Sequence, residues 1–512
     1  MFHSILFDRP DVGRSLDEGT ARELLADLRL DQVIDSIAVD GDEYQLRSLF
    51  LAPLDNVDSI KYRQDVFRDL EDPSLMAHIR AFSKRLHSMR EELTRGELQS
   101  RSQGLRWFTG AVGTYFEAVT ALTNALAAST LRSRAFLGLR DYLDAYVTSA
   151  EFATLVAETA EITVELAAVR YRLHIGADQV RVAKAADRPE ADYAAEIIRL
   201  FERFGTGTAT ATEHSFAVSG SAGMYLLEGE VLEAVARLYP RVFARLEAYA
   251  DRHAGYLDAT IAAFDREIRF YLAYLGCIEG LRAGGFAFCY PEVSTESKAI
   301  SVHAAFDLAL ARRLRASAAV VTNDFFLRDP ERILVVTGPN QGGKTTFARM
   351  FGQMHFLASL GLPVPGHDAT LPLTDNVLTN FQRQERVENQ RSELETGLIA
   401  VHKILERATP RSLIILNEVF SSTSLSDALF LNRAVLAQIS GLDAICVCVT
   451  FLDELSTMNE KTVSMVSCVD PLDPAVRTYK VVRRPANGLA YAEALAEKYQ
   501  LSYENVKRRI QA

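Results

Sequence analysis

The stretch ILVVTGPNQGGKTT at residues 333–346 decides the fold of the second half of the chain. An apolar run opens it, a glycine-rich turn follows, and a helical pattern continues from there to Leu360. The turn fits GxxxxGK followed by Ser or Thr, in which glycines let backbone N–H groups face inward around phosphates. A chance glycine-rich turn is the alternative, but the order of strand, loop and helix favours a phosphate-binding loop. The predicted loop residues are Gly338, Pro339, Asn340, Gln341, Gly342, Gly343, Lys344, Thr345 and Thr346.

Four polar side chains have expected roles in nucleotide chemistry. Lys344 is expected to reach the β- and γ-phosphates of ATP, and the Thr345 hydroxyl to bind Mg²⁺. The apolar strand LIIL at 413–416 ends in Asn417 and Glu418, where P-loop ATPases usually have two acids. Asn417 can still bind the metal or orient its water, and Glu418 is expected to act as the general base. We therefore expect ATP and Mg²⁺ as cofactors and slow hydrolysis to ADP and phosphate, unless this strand merely ends at the surface.

Short apolar runs alternate with helical stretches after Val320, which is the signature of a parallel sheet flanked by helices. These runs are Ile333–Val336, Leu413–Leu416, Ala444–Val449 and Val463–Val466. The sequence therefore predicts an N-terminal extension at 1–40, a helical domain at 41–315 and a P-loop ATPase domain at 316–512, with a boundary near Ala316.

The first half of the chain has a helical pattern from about Leu16 to about Leu281. Its clearest part spaces apolar residues by four and three, and counting back to Pro240 predicts one helix of about forty residues, roughly 60 Å long. Such a helix is either an ordinary member of a bundle or a lever that carries movement between its ends. This seam consists of Leu257, Ile261, Phe264, Ile268, Tyr271, Leu275 and Ile278.

The helical pattern lapses between Tyr171 and Met224. His174–Val182 resembles a short hairpin with a turn at 176–178, and Gly205–Gly223 is rich in Gly, Ser and Thr, which indicates a mobile loop.

Composition favours a cytoplasmic globular protein. The 512 residues are 48% hydrophobic and 24% charged, and no apolar run is long enough to span a bilayer. Met1–Arg9 does not resemble a secretory signal. The five cysteines do not suggest a disulfide framework, and Cys446 and Cys448 are expected to be structural residues on one face of a buried strand.

Net charge limits the kind of nucleic-acid contact that the chain can make. A value of −11 argues against a surface that binds nucleic acid all round, but it allows a local basic track. The basic stretch Arg80–Arg95 could contact phosphates, although a solvated helix face explains it as well.

Several motifs resemble the MutS family of DNA mismatch-repair proteins. The run TGPNQGGKTT at 337–346 is similar to the family's TGPNMGGKST, LASLGLPVP at 357–365 to its helix and GxxVPA turn, and NEVFSSTS at 417–424 to its DEIGRGTS. Weaker similarities lie at Thr478–Lys480 and Gly488–Ala492, which resemble the family's closing strand and helix. The stretch PLDNVDSIKYRQDV at 53–66 is similar to the opening of the MutS core domain.

This resemblance implies a multidomain protein, with an all-α core and lever domain followed by an α/β P-loop NTPase domain of the ABC type. Ser392 falls on the family's signature serine, which reaches the γ-phosphate bound by the other subunit. The resemblance therefore implies a homodimer through the ATPase domains, a composite active site, and an activity on DNA in repair or recombination.

The chain also departs from the family pattern. The family's mismatch-reading Phe-x-Glu motif is missing, and we expect no room before Pro53 for the mismatch-binding and connector domains. A reduced clamp would have to come from residues 171–224, and Phe451 stands where the family has a histidine. Two alternatives therefore stay open: an ATP-dependent dimeric clamp or scaffold for a protein partner, and a module that holds ATP without turnover.

Overall fold

A computed structural model describes most of the chain. The described residues are 2–9, 17–38, 46–97, 100–175, 180–185, 222–314, 320–381, 393–473, 476–486 and 507. They form two compact units. The first unit comprises Met1–Asp72, Leu131–Gly138 and Arg266–Ala512, and the second comprises Pro73–Thr130 and Leu139–Asp265.

The described α-helices lie throughout the chain, as the sequence predicts for its first half. In chain order they are α1 (Glu18–Leu28), α2 (Leu30–Ala38), α3 (Leu46–Phe50), α4 (Val57–Asp69), α5 (Pro73–Glu97), α6 (Arg101–Ala128), α7 (Arg134–Val147), α8 (Ala150–Ala167), α9 (Ala222–Leu238), α10 (Pro240–Arg252), α11 (Ala259–Ala283), α12 (Leu308–Arg313), α13 (Lys344–Ser359), α14 (Glu393–Arg407) and α15 (Leu425–Leu442).

The described strands lie mostly in the second half. In chain order they are β1 (Tyr171–Ile175), β2 (Val180–Lys184), β3 (Phe288–Cys289), β4 (Glu292–Ser294), β5 (Ile300–Ala305), β6 (Asn323–Leu327), β7 (Ile333–Thr337), β8 (Val364–Pro365), β9 (Asp368–Pro372), β10 (Val377–Phe381), β11 (Leu413–Asn417), β12 (Ile445–Val449), β13 (Thr462–Val469) and β14 (Arg477–Arg483).

The described residues of the second unit are helical apart from one hairpin. Strands β1 and β2 pair antiparallel, with Tyr171 opposite Lys184, which confirms the predicted hairpin strands. The predicted turn at 176–178 lies outside the described residues. Residues 205–221 of the predicted mobile loop also lie outside them. Apolar side chains of α8, α9 and α10 form a buried cluster of Ile162, Val235, Phe243, Leu246 and Tyr249.

The single helix predicted back to Pro240 is wrong, because the chain breaks between α10 and α11. Pro240 does occupy the first helical turn, but α10 ends at Arg252 and α11 begins at Ala259. Gly255 lies in the break, and the Asp258 carboxylate accepts the Ile261 N–H at 2.9 Å, which is an N-cap contact. The predicted seam is nevertheless buried from Ile261 to Ile278.

A six-stranded sheet dominates the first unit. Its order is β10-β11-β12-β7-β13-β14, in which the first five strands are parallel and β14 runs antiparallel to β13. The four apolar runs predicted as strands are β7, β11, β12 and β13, so this part of the fold is confirmed. Cys446 and Cys448 are buried in β12, and both thiols are free.

Smaller sheets in the same unit begin well before the predicted domain boundary. Strands β4, β9, β5 and β6 form a mixed four-stranded sheet, and β3 pairs with β8. The chain is thus a multidomain protein with helices and mixed sheets. The predicted boundaries at 40 and 315 lie among residues 39–45 and 315–319, outside the described part, and stay predictions.

The segment Phe2–Arg9, called the threaded segment below, forms no helix or strand and lies in the first unit with Ser4, Ile5 and Leu6 buried. Its backbone carbonyls at Ser4, Ile5 and Leu6 accept hydrogen bonds from Tyr62, Tyr271 and Arg63, at 2.7, 2.6 and 2.9 Å.

The threaded segment is also held through Glu267 and Arg63. The Glu267 carboxylate accepts the Ser4 hydroxyl and the Ile5 N–H, both at 2.8 Å. Arg63 also donates to the Leu360 carbonyl at the end of α13, at 3.0 Å. Burial lowers the pKa of Arg63 to about 10, so the guanidinium stays charged at neutral pH.

Candidate nucleotide site

The predicted phosphate loop connects the central strand β7 with helix α13. Gly338 and Gly343 have φ values of +120° and +94°, a region that non-glycine residues rarely adopt. A Cβ at Gly338 would lie 2.8 Å from the Ser467 carbonyl oxygen on β13. The Ser467 hydroxyl donates to the Gly342 carbonyl, and Arg477 donates to the Asn340 carbonyl at 3.3 Å. Strands β13 and β14 therefore brace the loop from one side.

Lys344 opens helix α13 and is almost fully buried, with 4% of its surface exposed. Its ammonium donates to the Gly338 and Pro339 carbonyls at 3.0 and 3.1 Å. The Glu418 carboxylate lies 3.7 Å away. Burial lowers the pKa of Lys344, and the charge of Glu418 opposes this shift. The lysine is thus held inside the loop and faces the predicted general base.

Asn417 is the last residue of β11, and Glu418 follows it directly. Asn417 is 6% exposed, and its Oδ1 atom has no hydrogen-bond partner among the described residues. A buried acceptor without a partner costs about 1–3 kcal/mol, which indicates a site that a ligand completes. Glu418 has φ +54°, its N–H donates to the Val449 carbonyl at 2.9 Å, and its side chain is about one-third exposed.

The donor set fits Mg²⁺. An amide oxygen and a hydroxyl are hard oxygen ligands, the type that Mg²⁺ prefers, and Mg²⁺ keeps several waters beside one or two protein ligands. Asn417 supplies the orphaned amide oxygen and Thr345 the hydroxyl at the first turn of α13. These two residues are the ones that the sequence predicts to hold the ion, and that assignment stays a prediction.

A pocket of about 450 Å³ contains most of the predicted loop. It brings together Gln341–Thr346 and Glu418, whereas Asn417 and the beginning of the loop lie outside its lining. Beyond the loop the pocket is lined mainly by apolar and aromatic side chains, with Asp307, Arg313 and Asn323 among the polar ones. This second part consists of Asp307, Leu310, Arg313, Leu314, Val321, Asn323, Phe347, Met350 and Tyr479.

Sequence reasoning missed this second part of the pocket. Four of its residues, at positions 307, 310, 313 and 314, lie on or beside α12, ahead of the predicted domain boundary, and Tyr479 was assigned only to a closing strand. Tyr479 has φ +57° and lies about 3.6 Å from the position of a Cβ at Gly343. Local sequence patterns carry no signal for these contacts, because the residues come from separate segments of the chain.

Two predicted features lie outside the described residues, and a third is described away from the pocket lining. Ser392 is outside the described residues, and helix α14 begins directly after it at Glu393. The motif Gly488–Ala492 is also outside them. Phe451 follows β12, is 47% exposed, and does not line the pocket.

The basic stretch Arg80–Arg95 forms part of α5. Arg90 pairs with the buried Asp265, and Arg95 pairs with Glu91 at 3.4 Å. Lys84 and Arg85 are exposed. Part of the basic charge is therefore engaged within the second unit.

Membrane insertion of a helix finds no support in the described part of the chain. Each described helix is either too short or too polar to span a bilayer.

Comparison with known proteins assigns a family to this nucleotide site. Residues 334–491 match the family model of MutS domain V. The chain is 33% identical to the DNA mismatch repair protein MutS of Syntrophobacter fumaroxidans over 215 residues, which are 41% of this chain and 23% of that protein. It is 37% identical to MutS of Thermosipho melanesiensis over 115 residues, 22% of this chain and 14% of that protein.

A eukaryotic relative matches a similar share of the chain. The DNA mismatch repair protein Msh3 of Mus musculus is 30% identical over 171 residues, 32% of this chain and 15% of that protein. The matched regions span less than a quarter of each of these relatives. The family match covers the phosphate loop, strand β11 and the strands that brace them, and on this basis residues 334–491 are a MutS-like domain V.

Proposed function

We propose that this chain is a MutS-like ATPase that couples ATP binding and hydrolysis to movement of helical levers on DNA, in repair or recombination. The observation that supports the proposal best is the meeting of Lys344, Thr345 and Glu418 at one pocket, with the orphaned Asn417 oxygen beside it. The domain organisation that goes with it is a core and lever domain at 41–315 and an ATPase domain at 316–512.

Each residue of the site has a chemical role that its position supports. Lys344 binds and orients the terminal phosphates, and the loop N–H groups complete the cradle. A phosphate that engages the lysine frees Glu418 from its ion pair, so that the carboxylate can accept a proton from the attacking water. Mg²⁺, held by Thr345 and Asn417, would neutralise charge on the phosphates. Since Asn417 brings no negative charge to the metal shell, we expect slow turnover.

Phosphate release tests this assignment. Glu418→Gln should bind ATP normally and release phosphate about 100-fold or more slowly, because a general base contributes roughly 10²–10⁴-fold. Glu460→Gln, an exposed glutamate in a turn before β13, is the matched control and should behave as wild type. Normal hydrolysis by Glu418→Gln would show that another group activates the water. No turnover by the wild type, with ATP still bound, would favour the binding module.

We further propose that the active site is composite and that Ser392 acts in trans within a homodimer. Mixing Ser392→Ala with Lys344→Ala tests this, because one site of the mixed dimer combines an intact lysine with an intact serine. Activity should partly return in mixtures that exchange subunits. If Ser392 is only a helix cap, Ser392→Ala costs about 1 kcal/mol of stability with unchanged turnover, and mixing restores nothing.

Lever movement and DNA binding complete the proposal. Helix α11 has 25 residues, about 38 Å at 1.5 Å per residue, so the proposed lever is shorter than the sequence suggests. A reduced clamp at 171–224 belongs to the same proposal. Gel shifts with duplex, mismatched and branched DNA, with and without ATP and over a range of salt, should show nucleotide-dependent binding.

The alternative function is an ATP-dependent clamp or scaffold for a protein partner. The net charge of −11 and the internal pairing of Arg90 and Arg95 favour it. Absence of a shift with every DNA at low salt, in a chain that still binds ATP, would decide for this alternative. Lys344→Ala serves as the nucleotide-blind control in the same survey.

A further inference from the structure

Residues 17–38, comprising helices α1 and α2, are called the N-terminal helix pair below. The pair lies in the same compact unit as the phosphate loop. Helix α1 contacts strand β10, at the edge of the six-stranded sheet, and helix α13. The Thr379 hydroxyl of β10 donates to the Asp27 carboxylate at 2.8 Å, and Arg349 of α13 donates to the Asp27 carbonyl at 3.0 Å. The end of α1 is thus fixed to the helix that starts at the phosphate loop.

Close packing at Gly352 confirms that this contact is specific. A Cβ at this position of α13 would lie 2.5 Å from a Leu28 methyl carbon and 2.6 Å from an Ile415 methyl carbon. Glycine therefore lets α1, α13 and β11 meet at one point, about two turns beyond Lys344. The helix pair fills space that the nucleotide-binding unit leaves for it.

Gln353, the next residue, links three elements through one fully buried amide. Its Nε2 donates to the Leu28 carbonyl at 2.8 Å and to the Asp307 carboxylate at 2.9 Å, and its Oε1 accepts the Leu308 N–H at 2.9 Å. Asp307 in turn caps α12 by accepting the Leu310 N–H at 3.0 Å. The amide therefore uses both hydrogens and its oxygen to join α1, α13 and the start of α12.

Hydrogen bonds also connect α2 with the short helix α12. Arg312 of α12 donates to the Val33 carbonyl at 3.5 Å and to the Ser36 hydroxyl. Helix α12 is also a wall of the nucleotide pocket, through Leu310, Arg313 and Leu314. The helix pair thus holds this wall at both of its ends.

We infer that Gln353 is a positioning residue for nucleotide binding, and that the N-terminal helix pair sets the distance between α12 and the phosphate-loop helix α13. This inference rests on the proposed ATPase function. Because the pocket is mainly apolar beyond the phosphate loop, its α12 side would face the nucleoside rather than the phosphates. Gln353 does not line the pocket, so it acts through Asp307 and α12.

Two ligands separate positioning from folding. ATP has a nucleoside and a triphosphate, whereas inorganic tripolyphosphate presents only the phosphates to the loop. Gln353→Met keeps the length of the side chain and removes its three hydrogen bonds. We expect this variant of the full chain to bind ATP about tenfold more weakly in calorimetric titrations with Mg²⁺, because buried partners are left unpaired. Its affinity for tripolyphosphate should equal that of the wild type.

A milder variant keeps the test decisive if Gln353→Met does not fold. Arg312→Ala removes the tie between α2 and α12 at a half-exposed position and should weaken ATP binding about threefold, with tripolyphosphate binding unchanged. The matched control is Arg407→Ala, since Arg407 contacts Thr20 of α1 but not α12. This control should bind both ligands as the wild type does.

The outcomes distinguish this inference from the proposed function. Equal weakening of ATP and tripolyphosphate, or no weakening of either in a folded Gln353→Met variant, would overturn the positioning role. A wild-type chain that binds neither ligand would instead contradict the phosphate site itself.

Discussion

The two ends of the six-stranded sheet differ in whether their polar groups have partners. At the carboxyl ends of the strands, Asn417 Oδ1 and Thr337 Oγ1 are buried without hydrogen-bond partners among the described residues. Gln341 and Glu418 there adopt positive φ values of +59° and +54°. This end therefore carries unpaired groups and strained backbone, which cluster at functional sites.

The opposite end satisfies its charge internally. Asp443, just before β12, accepts hydrogen bonds from Lys298 and Lys461, both at 2.7 Å, and lies 3.2 Å from Arg332. Burial raises the pKa of Asp443, but these three cations outweigh it and hold the pKa well below its usual range. The amino ends of the strands thus hold a satisfied charge cluster, whereas the carboxyl ends carry the unpaired groups of the candidate nucleotide site.

Lys344→Ala should have the largest effect on ATP affinity, and it tests the phosphate loop at the carboxyl ends of the strands. Loss of a charged hydrogen-bond donor to phosphate should weaken ATP binding about 100-fold, while the melting temperature stays close to that of the wild type. Calorimetric titration and thermal unfolding measure the two quantities. Lys403→Ala, an exposed lysine on α14, is the control. Near wild-type affinity of Lys344→Ala would place the phosphate site elsewhere.

Asn417→Asp should have an intermediate effect at the same end. A carboxylate that helps to hold a divalent ion adds an attraction on the order of 1–2 kcal/mol in a water-like medium, or about tenfold in binding. The Mg²⁺ concentration for half-maximal phosphate release should fall by that factor, and turnover should rise. Asn56→Asp adds the same charge at the N-cap of α4, away from the site, and should change neither quantity. An unchanged Mg²⁺ requirement in Asn417→Asp would remove Asn417 from the metal shell.

Asp443→Asn should have the smallest effect and should act on stability alone. The carboxylate is about one-third exposed, so we expect a loss of about 1 kcal/mol in the free energy of unfolding at pH 7. Since the folded pKa lies below the unfolded value of about 3.9, the wild-type advantage is full above pH 5 and shrinks as the pH falls below 4. Urea unfolding at pH 7 and pH 3 measures it.

The ATP affinity of the same variant tests whether the two ends of the sheet act independently. Asp443→Asn should bind ATP as the wild type does, because its charge cluster lies at the other end of the strands. A clear loss of ATP affinity without a loss of stability would contradict the division between the two ends.

The parts of the molecule that local sequence determines were predictable. The central strand β7, the phosphate loop and α13 follow one another directly, so apolar run, glycines and helical periodicity suffice to locate them. Strands β11, β12 and β13 were equally visible as short apolar runs between helices. The positions of Asn417 and Thr345 at the ends of these elements were predictable in the same way, whereas their role as metal ligands stays a prediction.

Features that depend on distant contacts could not be predicted. The apolar seam begins at Leu257, inside the break at residues 253–258, so its periodicity does not reveal the break that Asp258 caps. Helix α12 forms one wall of the pocket. Gln353 and Arg312 connect this wall by hydrogen bonds to the N-terminal helix pair. The role of Ser392 in trans stays a prediction.

The threaded segment Phe2–Arg9 has a consequence for the order of folding. Ser4 and its acceptor Glu267 are 263 residues apart, and Arg63 and the Leu360 carbonyl are 297 residues apart. The second unit, in contrast, is complete in the sequence by Asp265. During synthesis at roughly 5–20 residues per second, the second unit can fold before the last segments of the first unit have been made. The first unit therefore closes late, after its strands up to β14 have been synthesised.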